Sequence, residues 1–321
     1  MKETLSIKLF RTLNKGRERL GKDAVSRISR FVASQKTGDD AFVNKSKNAD
    51  VYYTMFGWLL SCVLDIRLDN KKTAHYVEEL RTDSMDLIHC AAYARCRMIR
   101  RLPGGKAGWI RKMLPANRGL ETATLRFLRT GNGTGTGRFA VKPDSAYSGF
   151  PHGDPESPYS RFLRLSMLED TGQKYDGTAE TVHSLSAYKA PGGGYSNIRQ
   201  STVSGDVRAG GRATTNATVA ALAVIGQLDG YRLNDDVLFL RDMQHETGGF
   251  AATVQSPVPD LLSTATALFM LRCHDIEPKI SPRDFIEAHW LDSGGFAATL
   301  ADGTSDVEYT FYGLLAMGAL I

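Results

Sequence analysis

The sequence predicts an all-α protein, an α/α toroid in which about five to six pairs of helices form two layers around a central cavity. Three observations indicate this fold class. A helix–turn–helix unit recurs along the chain, its second helix is apolar on nearly all sides, and the first and last units are alike. Because one such unit cannot bury its apolar surface alone, repeated units stack on their neighbours.

The clearest repeats are adjacent and lie near the C-terminus. The first is "DVLFLRDMQHETGGFAATVQSPVPDLLSTATALFMLRCHD" at 236–275, and the second is "PRDFIEAHWLDSGGFAATLADGTSDVEYTFYGLLAMGAL" at 282–320. Both contain GGFAAT, and in both an aspartate follows the phenylalanine by ten residues. These residues are Phe250 with Asp260 and Phe296 with Asp306.

A third repeat stands near the start of the chain. It has a first helix at 26–35, the turn "KTGDDAF", and a second helix at 50–64 that begins with Asp50. Weaker copies begin at Thr124 and Thr181, and the segment 73–114 has helical apolar spacing without the turn motif. Paired glycines permit a sharp turn, the aromatic residue can fill the gap between helix pairs, and the aspartate suits a helix N-cap.

The similarity of the two ends predicts that the array closes. A linear array needs polar terminal units, and the last repeat here is as apolar as the interior ones. Closure onto the first repeat would cover it. The matching positions of the two end repeats are Asp50/Asp306, Val51/Val307, Tyr53/Tyr309, Thr54/Thr310 and Gly57/Gly313.

We expect one domain over residues 1–321, with residues 1–25 as a basic helical arm. The chain has 40 Lys and Arg against 35 Asp and Glu, and its first thirty residues contribute heavily to the net charge of +5. A solvated surface face is the interpretation we favour, while an anionic membrane surface or a protein partner stays open. Nucleic acid is not expected as a partner, because no aromatic residues alternate with the charges.

The location we expect is cytoplasmic. The four cysteines follow no CxxC spacing and lie in apolar helical stretches, which favours free thiols in a reducing compartment. No apolar run reaches the roughly 18 to 20 residues of a spanning helix, and the N-terminus lacks an apolar stretch with a cleavage site.

The repeat resembles that of the prenyltransferase and squalene-cyclase superfamily. The pattern Q-x-x-x-G-G-F is present as "QHETGGF" at 244–250, and the resemblance is strongest over 181–321 and 26–66. It implies an α/α toroid with an aromatic-lined cavity for isoprenoid chains, and a terpenoid cyclase or prenyltransferase type of activity.

The same resemblance implies metal and acid motifs that this chain lacks. In the β subunits of protein prenyltransferases an Asp, a Cys and a His bind zinc, and the matching positions here are Asp260, Leu262 and Tyr309. We therefore expect no zinc and no other cofactor, and we leave magnesium open. The DxDD acid motif of triterpene cyclases is also missing, since Leu233 stands at its first position in "RLNDDV".

The candidate catalytic residues come from the predicted geometry of the ring. Inner-helix N-termini converge on one end of such a cavity, so Asp50, Asp260 and Asp306 are candidates for acids or bases, with Tyr309 beside them. Helix capping explains the same aspartates, and both hypotheses stay open. The substrate-binding candidates are the aromatic residues Tyr53, Phe250, Phe296 and Tyr312, the diphosphate candidates Arg208 and Arg212, and His152 in "GFPHGDPESP".

The sequence thus predicts an enzyme that acts without zinc on an isoprenoid or similar apolar molecule. A non-catalytic toroid that binds a lipid or another protein is the alternative, because the zinc, diphosphate and DxDD signals are all missing. A zinc-dependent prenyltransferase subunit has the least support. A buried ionisable group against the cavity would favour the enzyme, and a purely apolar cavity would favour the binding protein.

Overall fold

The computed structural model describes residues 3–80, 85–100, 154–170, 175, 177–200 and 211–320. These residues form twelve α-helices, one short 3-10 helix and two small antiparallel hairpins, so the predicted all-α class is confirmed. The helices are α1 (Leu5–Glu18), α2 (Lys22–Ser34), α3 (Val51–Val63), α4 (Asn70–Glu79), α5 (Leu87–Arg100), α6 (Pro158–Asp170), α7 (Thr178–Ser184), α8 (Thr215–Asp229), α9 (Asp235–Asp242), α10 (Leu261–Cys273), α11 (Arg283–Ala288) and α12 (Val307–Ala319). The 3-10 helix is Leu185–Tyr188, and the strands are β1 (Phe250–Ala251), β2 (Pro259–Asp260), β3 (Phe296–Ala297) and β4 (Ser305–Asp306).

Six of the helices make an inner layer whose contacts run in a cycle. In chain order they are α3, α5, α6, α8, α10 and α12; each packs against the next, and α12 packs against α3. Five other helices pack outside them, with α2 on α3, α4 on α5, α7 on α8, α9 on α8 and α10, and α11 on α12. The inner helices are therefore buried on several sides, as their apolar sequences predict.

Most inner helices begin at a polar residue that caps them. Asp50 accepts hydrogen bonds from the backbone N–H groups of Tyr52 and Tyr53, and Asp260 and Asp306 each accept from the third residue of their helix. Thr214 has the same role at α8. The capping hypothesis for the three aspartates is confirmed, since each accepts from an amide that has no partner within the helix.

A second bond ties each turn to the inner helix that follows it. The backbone N–H of Phe250, the aromatic residue of the turn, donates to Thr264 Oγ1 at 2.8 Å inside α10. This threonine stands four residues after the cap, and it is fully buried. The bond recurs in three other repeats, from Phe42 to Thr54, from Tyr195 to Thr218 and from Phe296 to Thr310.

The turn itself requires a left-handed backbone two residues before the aromatic residue. Gly248 and Gly294 have φ values of 94° and 93° at this position, as the paired-glycine motif predicts. In the first repeat Asp40 adopts the same region with a φ of 57°. An aspartate tolerates this conformation better than most side chains, which explains why the first turn keeps its shape without the glycine pair.

Helix α1 lies across the C-terminal ends of the inner helices. It packs against α3, α6 and α12. Arg17 pairs with Asp65 just after α3 at 2.7 Å, and Lys8 Nζ donates to Gln227 near the end of α8 at 3.1 Å. This end of the inner layer is therefore covered by the N-terminal segment.

The placement of α1 differs from the solvated basic arm that the sequence predicts. Leu5, Phe10 and Leu13 are each 3% exposed or less, because the apolar side of α1 faces the inner helices. The charged residues remain at its margins, where Arg11 pairs with Glu3 at 2.7 Å. α1 is therefore an amphipathic helix whose apolar side is part of the core, although its positive charges alone predict a solvated helix.

All four cysteines are free thiols. Within the ranges that the structure describes, no helix has the length and apolar character needed to cross a lipid bilayer.

Candidate functional site: a central cavity

A cavity of about 350 Å³ lies between the six inner helices. Five of the six inner helices contribute wall residues at spacings of four and then three, and α8 contributes a pair four residues apart, which places them on one face of each helix. The first tier, in the first helical turn, contains Tyr52, Ile88, Tyr159, Asn216, Leu262 and Glu308. The second tier contains Phe56, Ala92, Leu163, Ala220, Thr266 and Tyr312, and the third contains Leu59, Arg95, Ser166, Phe269 and Leu315.

The two ends of this cavity differ in character. At the third-tier end, α1 contributes Leu5, Ser6 and Leu9 to the wall, so α1 forms the floor. At the first-tier end, the wall is richer in groups that can exchange protons or donate hydrogen bonds. The first and third tiers are roughly 10 Å apart, since an α-helix rises about 1.5 Å per residue.

Glu308 is a buried carboxyl in the first tier. It is 9% exposed, and its Oε1 accepts a hydrogen bond from the hydroxyl of Tyr52 at 2.7 Å. Burial raises the pKa of Glu308 to about 7, an effect that the Tyr52 hydrogen bond reduces and the nearby Asp306 carboxylate increases. Burial also holds the pKa of Tyr52 well above its usual value, so Tyr52 remains a hydrogen-bond donor to Glu308.

A cluster of aromatic rings extends from Tyr52 along the cavity wall. The ring of Phe56 lies with its centroid 4.9 Å from that of Tyr52, 4.8 Å from Phe311 and 5.8 Å from Tyr312. All four side chains line the cavity. Their faces offer a negative quadrupole, which attracts positive charge on a bound molecule.

A second polar group lies on α5. Asp86 Oδ1 is 2.8 Å from His89 Nδ1, and both side chains line the cavity. The hydrogen bond that His89 donates to the Asp86 carboxylate raises the pKa of His89. Seven residues after Ile88, and on the same face of α5, Arg95 Nη2 donates to Ser166 Oγ of α6 at 3.3 Å.

A lysine from the turn of the first repeat lies close to the first tier. Lys45 Nζ is 3.8 Å from Asp306 Oδ2 and 5.3 Å from the centroid of the Tyr309 ring. Tyr309 lines the cavity next to Glu308. The positive charge of Lys45 lowers the pKa of Glu308, although less than burial raises it.

The predicted catalytic aspartates are placed in the helix caps, outside the cavity wall. Asp50, Asp260 and Asp306 bind backbone N–H groups, and the wall residues come from later positions of their helices. Burial raises the pKa of Asp260 and of Asp306. The correction is one of position: the cap residue points back at its own helix, and the residue two positions later points into the cavity.

The other predicted site residues divide between the wall and the repeat turns. Tyr309 and Tyr312 line the cavity, whereas Tyr53, Phe250 and Phe296 are buried outside its wall. Phe296 packs on its own inner helix, where a Cβ added at Gly313 would lie 2.5 Å from its ring. Arg212 is exposed just before α8 and does not line the cavity, while Arg208 and His152 lie outside the described residues.

Glu308, Tyr52 and Tyr159 are wall residues that the sequence did not single out. A signal was available, because the position two residues after the cap lines the cavity in every repeat whose inner helix is described. In the resemblance to protein prenyltransferases, Leu262 stands at this position and matches a zinc-binding cysteine. Applied to the last repeat, the same offset leads from Asp306 to Glu308.

The residues at the zinc positions do not fit a zinc site. Leu262 offers no ligand atom, and Asp260 caps α10 while Tyr309 lines the cavity. Zinc sites need several nitrogen, sulfur or oxygen ligands around one ion. Across the described ranges, no three His, Cys, Asp or Glu side chains come together as such a set.

No protein-family model matches the chain, and no curated protein is significantly similar to it in sequence. The resemblance to the prenyltransferase and cyclase repeat therefore depends on the motif and on the helical architecture.

Proposed function

We propose that this chain is an α/α toroid that binds an isoprenoid or comparably apolar molecule in its central cavity and transforms it without zinc. The cyclic contacts of the six inner helices support the toroid, and the helices that pack outside them would form its outer layer. The cavity volume of about 350 Å³ is at the lower end of the ~300–1,000 Å³ typical of small-molecule sites.

The position of Glu308 is the observation that best supports an enzymatic function. A protein that only binds a hydrocarbon gains nothing from a carboxyl in the wall, because burying this group costs free energy. At a pKa of about 7 both protonation states of Glu308 are populated near neutral pH. A group in that condition can accept and return a proton within one catalytic cycle.

The surrounding residues suit such a proton transfer. Tyr52 holds the Glu308 carboxyl by its hydrogen bond, and the apolar wall excludes water from the acid. Positive charge that develops on the substrate when Glu308 donates its proton would face the rings of Phe56 and Tyr312. When the substrate releases a proton again, Glu308 accepts it, so the step needs no further reactant.

Ligand binding and turnover can be tested separately on the purified protein. Native mass spectrometry with metal analysis, after incubation with farnesyl and geranylgeranyl diphosphates, tests binding and its independence from zinc. Ala220→Phe introduces a large ring in the second tier, and we expect it to abolish binding. Circular dichroism and thermal unfolding of this variant establish that the loss comes from the filled cavity.

Product analysis by gas chromatography and mass spectrometry then tests catalysis. Glu308→Gln keeps the shape of the side chain but cannot exchange a proton in the same way, so we expect binding to persist and turnover to fall at least ~100-fold. Binding without any product in the wild type would identify a non-catalytic binding toroid. If neither compound binds, the isoprenoid class of ligand is refuted.

A further inference from the structure

The polar side chains of the cavity wall differ in how far the protein itself engages them. Three pairs of wall residues are bonded to each other, namely Tyr52–Glu308, Asp86–His89 and Arg95–Ser166. Asn216, which lies in the first tier on α8, has a different arrangement. Only one end of its amide is held by another side chain.

Thr266 of α10 holds the oxygen of this amide. The Thr266 hydroxyl lies 3.0 Å from Asn216 Oδ1 and 2.8 Å from the carbonyl oxygen of Leu262, and it shares its one proton between these two nearest acceptors. Because Oδ1 is directed at Thr266, the Nδ2 group of Asn216 faces away from that hydroxyl. Within the described ranges Nδ2 donates to no protein acceptor, and the partly buried Asn216 side chain lines the cavity. Two N–H donors are therefore left for a molecule in the cavity.

We infer that Asn216 is a specificity-determining residue, whose Nδ2 group donates hydrogen bonds to a neutral oxygen of the ligand. This inference rests on the proposed function, because it requires the ligand to occupy the cavity. The amide of Asn216 has no net charge to offset that of an anion, and its wall neighbours Val219, Ala220 and Leu262 are apolar. The oxygen it selects is therefore that of an alcohol, an aldehyde or a ketone.

The donor predicts which apolar molecules the cavity rejects. A pure hydrocarbon that fills the cavity removes water from Nδ2 and offers no acceptor in return, so a polar group is left unpaired at a cost in free energy. A ligand with an oxygen at this depth restores the hydrogen bond, while its chain contacts the aliphatic and aromatic wall. The ligand is therefore an apolar chain with a neutral oxygen, which Asn216 holds in the same tier as Glu308.

The Asp86–His89 pair is the competing location for this oxygen. His89 also lines the cavity and has a ring nitrogen besides the Nδ1 that bonds Asp86. It lies on α5, however, and in the cycle of inner helices α6 stands between α5 and α8. A substitution at each residue therefore distinguishes the two locations.

Displacement of the fluorescent apolar probe Nile red measures the affinities of three compounds with equal chain length. The compounds are farnesene, farnesol and farnesal, which are a hydrocarbon, an alcohol and an aldehyde. The quantity compared is the affinity of each oxygenated compound divided by that of farnesene, so the shared apolar contacts cancel. Asn216→Leu keeps the size of the side chain and removes the amide, and we expect it to lower both ratios roughly 10- to 100-fold. Thr266→Val removes the hydroxyl that orients the amide and should lower them by a smaller factor.

The alcohol and the aldehyde test whether Asn216 donates or accepts. The aldehyde oxygen only accepts a hydrogen bond, whereas a hydroxyl group also donates one. If Asn216→Leu lowers the farnesol ratio alone, the amide presents Oδ1 to the ligand, and the assigned donor is overturned. Asn70→Leu, at an exposed position of α4 outside the cavity wall, is the matched control and should leave both ratios unchanged.

The remaining outcomes separate this inference from the proposed function. Ratios that Asn216→Leu leaves unchanged overturn the role of Asn216, and a fall in His89→Leu instead would place the oxygen on α5. If none of the three compounds displaces the probe from the wild type, the proposed function itself fails. Ala220→Phe should abolish probe binding, because it fills the cavity. If Asn216→Leu does not fold, Asn216→Ala and Thr266→Val decide the question.

Discussion

Gly295, in the turn of the last repeat, packs against the ring of Phe31 in α2, near the opposite end of the chain. A Cβ added at Gly295 would lie 2.4 Å from Phe31 Cε1. The turn of the preceding repeat is packed in the same way, since a Cβ at Gly249 would lie 2.5 Å from the ring of Phe285 in α11. The junction between the chain ends thus repeats the junction between neighbouring repeats.

This equivalence predicts the energetic cost of opening the end junction. Phe31→Ala and Phe285→Ala each remove a ring that is 7% or 5% exposed, so we expect each to lower the free energy of unfolding by about 3–5 kcal/mol. Urea unfolding followed by circular dichroism measures both. A loss at Phe285 with almost none at Phe31 would show that the chain ends are not sealed in solution.

A second close contact holds α1, which forms the floor of the cavity, against α12. A Cβ at Gly16 would lie 2.1 Å from the Leu314 carbonyl oxygen, and one at Gly318 would lie 1.8 Å from the Thr12 carbonyl oxygen. Alanine normally favours a helix over glycine by about 1 kcal/mol. Here we expect Gly16→Ala to destabilise by about 1–3 kcal/mol, because the backbones of α1 and α12 must separate.

Gly303→Ala is the matched control for this prediction, since nothing lies within 4 Å of a Cβ at that position. Thermal unfolding of both variants compares them directly. A Gly16→Ala protein as stable as the control would contradict the close packing of α1 on α12.

The features that could be predicted from the sequence are those that recur from repeat to repeat. The glycine turns, the cap aspartates and the apolar inner helices recur with the same local geometry, so a period in the sequence reveals them. The repeat locates the position of Glu308, two residues after the cap, but not its chemical character, because the equivalent residues are Tyr52, Asn216 and Leu262. A cavity wall is defined by variation between repeats, and periodicity detects only what is shared.

The placement of α1 escaped prediction for another reason. Its charges predict a solvated face, yet Phe10 and Leu13 are buried by helices far away in the chain. Likewise Tyr53 and Tyr309 occupy equivalent positions, and only Tyr309 lines the cavity. Such differences arise from tertiary packing, which a single repeat does not encode.

The buried threonine of α3, α8, α10 and α12 should stabilise the turn before its helix. Thr264→Val keeps the shape of the side chain but leaves the buried N–H of Phe250 without its acceptor, so we expect a loss of about 1–3 kcal/mol. Denaturant unfolding measures the loss, with Thr178→Val at an exposed position of α7 as the control. Equal stability of the two variants would contradict a structural role of this bond.

Two substitutions of Asp260 distinguish a capping role of this residue from a catalytic role. Asn accepts the same hydrogen bond as Asp at an N-cap, so Asp260→Asn should keep nearly wild-type stability, whereas Asp260→Ala should lose about 0.5–2 kcal/mol. Under the proposed function, Asp260→Asn also retains turnover while Glu308→Gln does not. Loss of turnover in Asp260→Asn, with ligand binding intact, would return the catalytic role to the cap residue.

The raised pKa of Glu308 predicts how stability depends on pH. Its value is 4.5 in the unfolded chain and about 7 in the folded protein, so the folded state holds more protons between these values. Wild-type stability should therefore fall as pH rises through this window, by up to about 3 kcal/mol from this group alone. Glu308→Gln lacks the titration, so its stability relative to the wild type should increase from pH 5 to pH 8. Urea unfolding at both pH values measures the difference, with Glu246→Gln at an exposed position as the reference. A difference that stays constant with pH would mean that Glu308 titrates like a solvated carboxyl, and the proton-transfer function would lose its support.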